Sequence, residues 1–560
     1  MPLLNKFIIP AGLLLALILP IFAIAPLFYP GYFQTHSGFA PLWNVADWHA
    51  HRDGLGWVPH VAIHFDPLRS DGLLPYYLAG WLALPPVTAV KVILALGWLL
   101  GSAGMWLWLK NWLGPRGALL AALVYTYLPY HIAAVYVRGA WGEALFWGLL
   151  PWAMWVLNID KINRIFRFRL TNKRGEFYLE LLVPAIIWFL LALSQLGLTF
   201  WAGLLAALLL WLTRRRVMLW SGLAALLGVI GGVGLYLALT PFPTSSPVVF
   251  TDHFLYPSQL FSAYWGFGPS RPGWNDGLSL QVGLAVMGLT MLTLFVWWSR
   301  RQESKFKSSG FLPFFLIAAF ILILLQFDLS ARLWRLPLAP GYVLADTLTY
   351  PWQLLGLVGL CLSVVAGAGV RLDEQLTRLP IFSGLLLFVL LGSYSYLSPK
   401  FTQPDPYLTP TPPIILGDNQ AALLAHDFSV VINGRTAGLE QGQTTIPLAV
   451  HAPLQANNVL RLNVVWQPLQ PFSQNFKVFV HLVDPFGQVI AQYDGQPKNG
   501  EYPTDQWIPG ELIKDSYPLV IPANAPAGPY RVYLGLYDEA NLARLPVPGD
   551  AEGRVVFNVR

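Results

Sequence analysis

The chain has 560 residues, of which 55% are hydrophobic and 11% charged, with 24 Trp and a mean hydropathy of +0.51. A soluble globule carries about a quarter charged residues, so this balance excludes an ordinary soluble enzyme and points to a membrane protein. The net charge of +6 comes from short basic runs between apolar stretches, and no nucleic-acid-binding motif accompanies it. The single cysteine, Cys361, excludes a disulfide framework and thiol chemistry.

In chain order the apolar stretches predict about eleven spans: 6–28, 87–109, 117–134, 141–157, 179–195, 197–213, 217–240, 279–298, 311–326, 350–370 and 380–396. The first has a small-x-small sequence at Ala23-Ile24-Ala25, but it is long for a signal peptide and Pro26 follows at once, so it reads as an uncleaved helix. The pair 179–195 and 197–213 is separated only by the short SQLGLT; one long helix there would invert everything downstream. An odd number of spans puts the termini on opposite sides. Eighteen Lys or Arg, including KINRIFRFRLTNKR (161–174), Arg214 to Arg216 and RRQESKFK (300–307), fall in one set of loops, and six in the other. By the positive-inside rule the first set is cytoplasmic, so the N-terminus is inside and the C-terminal region outside.

Three outer loops follow, at 29–86, 241–278 and 327–349. The first contains WHAHRDGLGWVPHVAIHFD (48–66) and the short apolar LLPYYLAGWLAL (73–84), which reads as an interfacial or re-entrant helix. Five of the ten histidines, His36, His49, His51, His60 and His64, lie in this loop, among the acids Asp47, Asp53, Asp66 and Asp71. HxH suits one face of a strand and HxxxH one face of a helix, so His60 and His64 with Asp66 form a candidate metal set for a divalent cation. At 136–143, YVRGAWGE places Arg138 and Glu143 at the outer end of a helix, where ionisable groups are costly unless they face a cavity or each other. Five residues is too long a spacing for a one-face helical pair, so at least one of them is expected to face a cavity.

Residues 402–560 contain no spanning stretch and alternate apolar with polar: FSVVING, TTIPLAVHA, VLRLNVVWQ, NFKVFVHLVD, QVIAQYDG, YPLVIPA, YRVYLGLYD and RVVFNVR. Turn signals such as DPFGQ and PANAPAGP separate them, which predicts an antiparallel β-sandwich. The division is thus an α-helical polytopic membrane domain over 1–398 and an all-β sandwich over 402–560.

The run VYTYLPYHIAAVYVRGAWGEALFWGLLPWAMWVL (124–157), together with LLPYYLAGWLAL and HFLYPSQLFSAYWGFGPSRPGWNDGLSLQVG (253–283), resembles bacterial membrane proteins grouped as 6-pyruvoyl-tetrahydropterin synthase-related. Their architecture is similar to the type C glycosyltransferase (GT-C) superfamily, which takes sugars from polyprenyl-phosphate donors at the outer face of the membrane. The resemblance covers most of 1–396 and implies an acid just after the first helix. This chain has Ser37 there, in QTHSGF, so either the base has moved to another acid of the loop or activity is lost. The stretches VFVHLVDPFGQVIAQYDG and YPTDQWIPGE resemble a carbohydrate-binding sandwich appended to some bacterial membrane glycosyltransferases, with Trp466, Trp507, Tyr493 and Tyr502 as sugar platforms or core.

Glycosyl transfer needs a carboxylate to accept the acceptor hydroxyl's proton and cationic groups to stabilise the departing phosphate. Asp47, between Trp43 and Trp48 whose rings would desolvate it, is the first candidate base and Asp53, before Gly54, the second. Arg138, His253, Arg271 and Arg332 are candidate phosphate ligands, because a guanidinium fork matches phosphate oxygens. Glu143, His36, His49 and His51 support them. The implied partners are a polyprenyl-phosphate-linked sugar, a cell-envelope glycan or protein acceptor and membrane lipid, in a bacterial cytoplasmic membrane. The alternatives are a silent membrane scaffold presenting the sandwich, a zinc enzyme of the loop histidines, and a transporter; the charges cluster at the outer mouth rather than at midplane, which disfavours the last.

Overall fold

In the computed structural model, residues 11–51, 56–62, 65–157, 173–213, 216–240, 248–300, 311–408, 413–432, 435–437, 459–526 and 529–559 are described. The chain divides into two compact units, one of Met1–Phe33, Asp47–Pro59 and Phe65–Phe401 and one of Gln34–Ala46, His60–His64 and Thr402–Arg560.

The first unit is helical. Among the described residues four helices are long and apolar enough to cross a membrane: Ala11–Phe28, Pro86–Thr126, Leu219–Leu239 and Pro351–Leu372. Phe311–Leu324 with Asp328–Trp334 makes a fifth if this pair, bent by 90°, is one span. Shorter apolar helices cover Leu181–Ser194, Leu196–Leu212, Leu284–Ser299 and Leu379–Tyr394. These helices fit a membrane protein, and Leu219, Leu226, Leu227 and Ile230 stand exposed on one of them as lipid-facing residues do.

Several boundaries differ from the sequence expectation for local reasons. Pro86–Thr126 joins two predicted spans, bending at Gly114 (φ 74°) before Pro115, where a proline cannot continue the backbone ladder. The predicted 117–134 helix stops at Thr126; Pro129 restarts the chain as Pro129–Ala133, followed by a single π turn, Ala134–Arg138. The helix predicted over 311–326 ends at Leu324. Lys173–Ser194 and Leu196–Thr213 are separate helices broken at Gln195, not one long helix. The basic run 161–172, Arg214, Arg215 and residues 301–310 lie outside the described residues.

Small residues set the helix contacts. A Cβ on Gly97 would come within 2.8 Å of the Ala144 carbonyl oxygen, and one on Gly148 within 2.8 Å of that of Gly97. This is the close backbone approach that glycine permits between apolar helices, where dispersion replaces the hydrophobic effect as the main attraction. Gly117 and Gly367 do the same for the nearly fully buried Leu355–Leu372 helix.

The second unit is built on two antiparallel sheets. One has the order Ile513–Val520, Val459–Pro468, Ala421–Ile432, Ile414–Leu416, with Arg435–Ala437 pairing back onto Ala421–Ile432; the other runs Val489–Gly495, Phe476–Val483, Tyr530–Asp538, Val555–Val559. Alternation puts Leu460, Leu462, Val464 and Trp466 inward from one sheet and Val478, Val480 and Leu482 from the other, in one core. The expected strand TTIPLAVHA lies outside the described residues. Residues 34–46, read from the sequence as part of the first outer loop, belong to this unit. Gln467, fully buried, accepts the Phe39 N–H at 3.1 Å and donates to the Gly510 carbonyl at 3.1 Å. Asn44, also fully buried, donates to the Ala40 and Val61 carbonyls and accepts the His60 and Val61 amides, so every polar atom of its side chain is used.

Candidate functional site

The chemistry of the first unit converges where the chain turns at YVRGAWGE. The π turn ends at Gly139, whose φ of 69° suits a residue without Cβ, and a new helix starts at Trp141. The break defeats the helical-spacing argument: Arg138 and Glu143 are not on one helix, and the chain folds them face to face. The Arg138 Nη1 and Nη2 atoms donate to Glu143 Oε2 and Oε1, each at 2.8 Å. Glu143 is 1% exposed and Arg138 13%, so the carboxylate is fully buried and the guanidinium keeps a small exposed edge.

A buried ion pair persists only where every lone pair is met. Glu143 Oε2 also accepts the Tyr130 hydroxyl at 2.8 Å, and Oε1 the Gln353 amide at 2.6 Å. Gln353 in turn accepts the Thr349 and Tyr350 N–H groups, which fixes the turn at Pro351. The Arg138 guanidinium lies 4.8 Å over the Trp352 ring, and Trp352 stacks on Tyr350 at 4.5 Å and 11°.

Asp71 completes the group. Its Oδ1 accepts the Glu143 backbone N–H at 3.2 Å, at the N-terminus of the helix Trp141–Val156. The side chain is deep in the protein but keeps accessible surface. Burial pushes its carboxyl up to about 7, the Glu143 carboxylate adds to the rise, and Arg138 and the Glu143 and Gly142 amides oppose it. Gly72 holds it in place: a Cβ there would come within 2.1 Å of the Leu193 carbonyl oxygen.

Trp352 links this group to a second one. Its indole N–H donates to Ser270 Oγ at 3.2 Å, and Ser270 donates its only proton to Asp276 Oδ1 at 2.6 Å. His253 Nδ1, 2.9 Å from the same Oγ, is therefore the donor in that contact. Asp276 also accepts the Arg271 amide and the Gln259 side chain. Burial raises the Asp276 carboxyl above its usual range, against the Ser270 and Arg271 hydrogen bonds. Burial also lowers His253, against Asp276 and Asp252, so at neutral pH its ring is an N–H donor rather than the cation that phosphate binding by charge would need. The order Ser270 to Asp276 and Ser270 to His253 is not a charge-relay triad, since the histidine does not stand between serine and acid.

The other predicted residues are dispersed. Asp47 accepts the Trp57 indole N–H at 2.8 Å and faces His51 Nδ1 at 3.0 Å. The rings expected to desolvate it are committed elsewhere: Trp43 donates to the Tyr407 carbonyl, and Trp48 packs on Gly80. His49 donates to the Gly80 carbonyl at 3.1 Å, His51 is exposed and His36 half-buried. Arg271 and Arg332 are exposed. Asp53 and His64 lie outside the described residues. Of the proposed metal set, His60 is exposed and Asp66 is taken up by Arg69 at 3.0 Å and the Leu68 amide at 2.9 Å. A carboxylate already neutralised by a guanidinium is a poor cation ligand, and among the described residues no three His, Cys, Asp or Glu converge to hold a metal. In the second unit Trp466 and Trp507 are 0% and 1% exposed and form core, while Tyr493 and Tyr502 pack half-buried against it. Strand alternation turns the Trp466 indole inward, and Trp507, just after the short helix Thr504–Gln506, packs edge-on to Phe472 at 5.6 Å, so neither is a sugar platform.

Sequence reasoning found Arg138, Glu143 and His253 but missed Tyr130, Ser270, Asp276, Tyr350, Trp352 and Gln353, and it named Asp71 only as one acid among four. The usable signal for Asp71 was the Asp-Gly step just before the apolar helix Leu73–Trp81. No protein-family model and no curated protein sequence matches the chain.

Proposed function

We propose that the chain is a membrane glycosyltransferase of type C architecture that moves a hexosyl or pentosyl group from a polyprenyl-phosphate donor to an extracytoplasmic glycan or protein acceptor. Asp71, rather than Asp47 or Asp53, is the base. The observation that carries the reading is the placement of Asp71, a partly exposed residue whose carboxyl meets the Glu143 amide beside the Arg138–Glu143 pair and is raised to about 7 by burial. In the step, the acceptor oxygen forms a bond to the sugar's anomeric carbon and gives its proton to Asp71. The bond from that carbon to the phosphate oxygen breaks, and the electron pair stays on the phosphate. Arg138 offsets the charge, held in place by the buried Trp352 ring that it overlies. The topology of about eleven spans, the bacterial cytoplasmic membrane and the outward C-terminal sandwich belong to this proposal and rest, in that order, on the apolar stretches, the family resemblance and the charge asymmetry.

A second reading, a silent scaffold, draws on the saturation of Glu143 and on Asp71 meeting amides at a helix N-terminus, where a carboxylate is favoured without any catalysis. Turnover of a polyprenyl-phosphate sugar by the purified full chain separates the two. Asp71→Asn is expected to lower transfer roughly 10²–10⁴-fold with donor affinity nearly intact, as for loss of a general base. Wild-type protein that neither binds lipid phosphate nor transfers sugar would leave the scaffold. Orientation is tested by labelling: Asp418→Cys, at an exposed position, reacts with an impermeant thiol reagent in intact cells and Asn163→Cys does not. The native Cys361 is buried and gives little background.

A further inference from the structure

The apolar helix Phe311–Leu324 exposes Ile317, Phe320 and Ile321 and no polar residue, as a lipid-facing helix does. Beyond its end the chain turns by 90° into the short helical segment Asp328–Trp334. Hydrogen bonds fix the turn: the Gln326 carbonyl accepts the Leu255 N–H at 2.8 Å, and Trp334 Nε1 reaches back to the Leu325 carbonyl at 2.8 Å. A segment at a right angle to a membrane-crossing helix runs along the membrane surface rather than through it.

The segment has three distinct sides, because residues four apart stack on one face and successive residues are turned by roughly 100°. Ser330 and Trp334 face the protein: Trp334 is 0% exposed, donates to Ser330 Oγ at 3.0 Å and packs on Phe250 at 4.6 Å and on Trp201 at 5.2 Å. Leu329 and Leu333, one position earlier, are 71% and 49% exposed. Asp328 and Arg332, one position earlier again, are exposed, as is Arg335. Two arginines against one aspartate leave this charged side net positive. Leu336 and Leu338, 53% and 43% exposed, carry the apolar surface on past the helix.

We propose that Asp328–Trp334 is an interfacial anchor that seats Leu329 and Leu333 among the upper acyl chains of the bilayer and holds the phosphates of anionic phospholipid headgroups with Arg332 and Arg335. An apolar side next to a cationic side, on a helix lying flat, is the arrangement that a headgroup layer over hydrocarbon complements. The long arginine stems keep the charge at headgroup level while the leucines go deeper, and the guanidinium fork matches phosphate oxygens. Lipid is the occupant because the segment continues directly from a helix whose exposed residues are all apolar. Further along the same loop Asp346 pairs with Arg69, two residues before Asp71, so the anchor and the candidate base belong to one loop framework. The anchor does not depend on sugar transfer and holds equally for a silent scaffold.

The full chain carrying Leu333→Cys, labelled with an environment-sensitive fluorophore and reconstituted into phosphatidylcholine vesicles with a minority of phosphatidylglycerol, tests it; the native Cys361 is buried. Nitroxides high on the lipid acyl chain are expected to quench the label, nitroxides near the chain end to quench it less, and a water-soluble quencher to act weakly. Quenching from water alone overturns the proposal. A label shielded from both kinds of quencher would put protein, a second copy included, on this face and overturns it as well. The arginines are read separately: at equal mole fraction, nitroxide-bearing phosphatidylglycerol should quench more than nitroxide-bearing phosphatidylcholine, from an enrichment of about fivefold per arginine, and Arg332→Gln with Arg335→Gln should abolish the preference. Equal quenching by the two lipids before substitution, or an unchanged preference after it, shows that the arginines hold no headgroup and overturns the proposal. All the substituted side chains are exposed, so the fold does not rest on them.

Discussion

The stretch WHAHRDGLGWVPHVAIHFD and the stretch YVRGAWGE invert what their composition suggests. The first holds four histidines and two aspartates in nineteen residues, yet its described side chains bond mainly to near neighbours or to backbone: His51 with Asp47, His49 with the Gly80 carbonyl, Asp66 with Arg69. The second holds one arginine and one glutamate, and it draws in Asp71, Tyr130 and Gln353 from as far as 210 residues away in sequence. The difference is burial. A half-exposed histidine satisfies itself with water or the nearest carbonyl, whereas a buried guanidinium–carboxylate pair is stable only when the fold brings partners to each remaining lone pair.

That contrast is open to measurement, and its largest test is at Glu143. Glu143→Gln removes the only carboxylate that Arg138 contacts directly among the described residues and leaves Asp71 as the nearest charge, and thermal or denaturant unfolding in detergent should show a loss of about 3 kcal/mol. A loss under about 1 kcal/mol would mean that water reaches the pair and that the two stretches do not differ in kind. Tyr130→Phe removes one hydrogen bond to the charged carboxylate and keeps the ring, so the expected loss is about 1.5–3 kcal/mol by the same assay.

Asp71 sharpens the comparison through pH. Its carboxyl is raised from the ordinary value of about 4 to about 7. Between these values the folded chain holds a proton that the unfolded chain has released, so this group makes stability fall as pH rises from about 4 through about 7 and adds no further change above it. Asp71→Asn should flatten that slope in unfolding measured across pH 4 to 8, while the transfer rate of wild type rises through pH about 7 as the base deprotonates. An unaltered slope in the variant would place the titration elsewhere. The smallest effect belongs to the histidine-rich stretch: His51→Ala breaks an exposed pair with Asp47 and should cost about 0–1 kcal/mol, with sugar transfer unchanged. A large loss of turnover in His51→Ala would return the chemistry to that loop.

The amino-acid sequence alone determined the helical membrane character, the β-rich region after residue 402, and Arg138 and Glu143 as residues out of place in an apolar context. These follow from hydrophobic period and charge depletion, which act within a window of a few residues. Tertiary structure alone decided the rest. Whether Arg138 meets Glu143 depends on a π turn ending at Gly139, which no helical repeat encodes. That Asp71 is the acid beside them depends on Gly72 fitting against the Leu193 carbonyl, and that Trp352 joins them to Ser270 depends on a glutamine anchoring the Pro351 turn. Likewise Trp466 and Trp507 become core rather than platform only when two sheets close on each other. The physical reason is common to all four: local periodicity sets which residues leave water, but which partner a buried polar group finds is fixed by long-range packing, and that partner decides its chemistry.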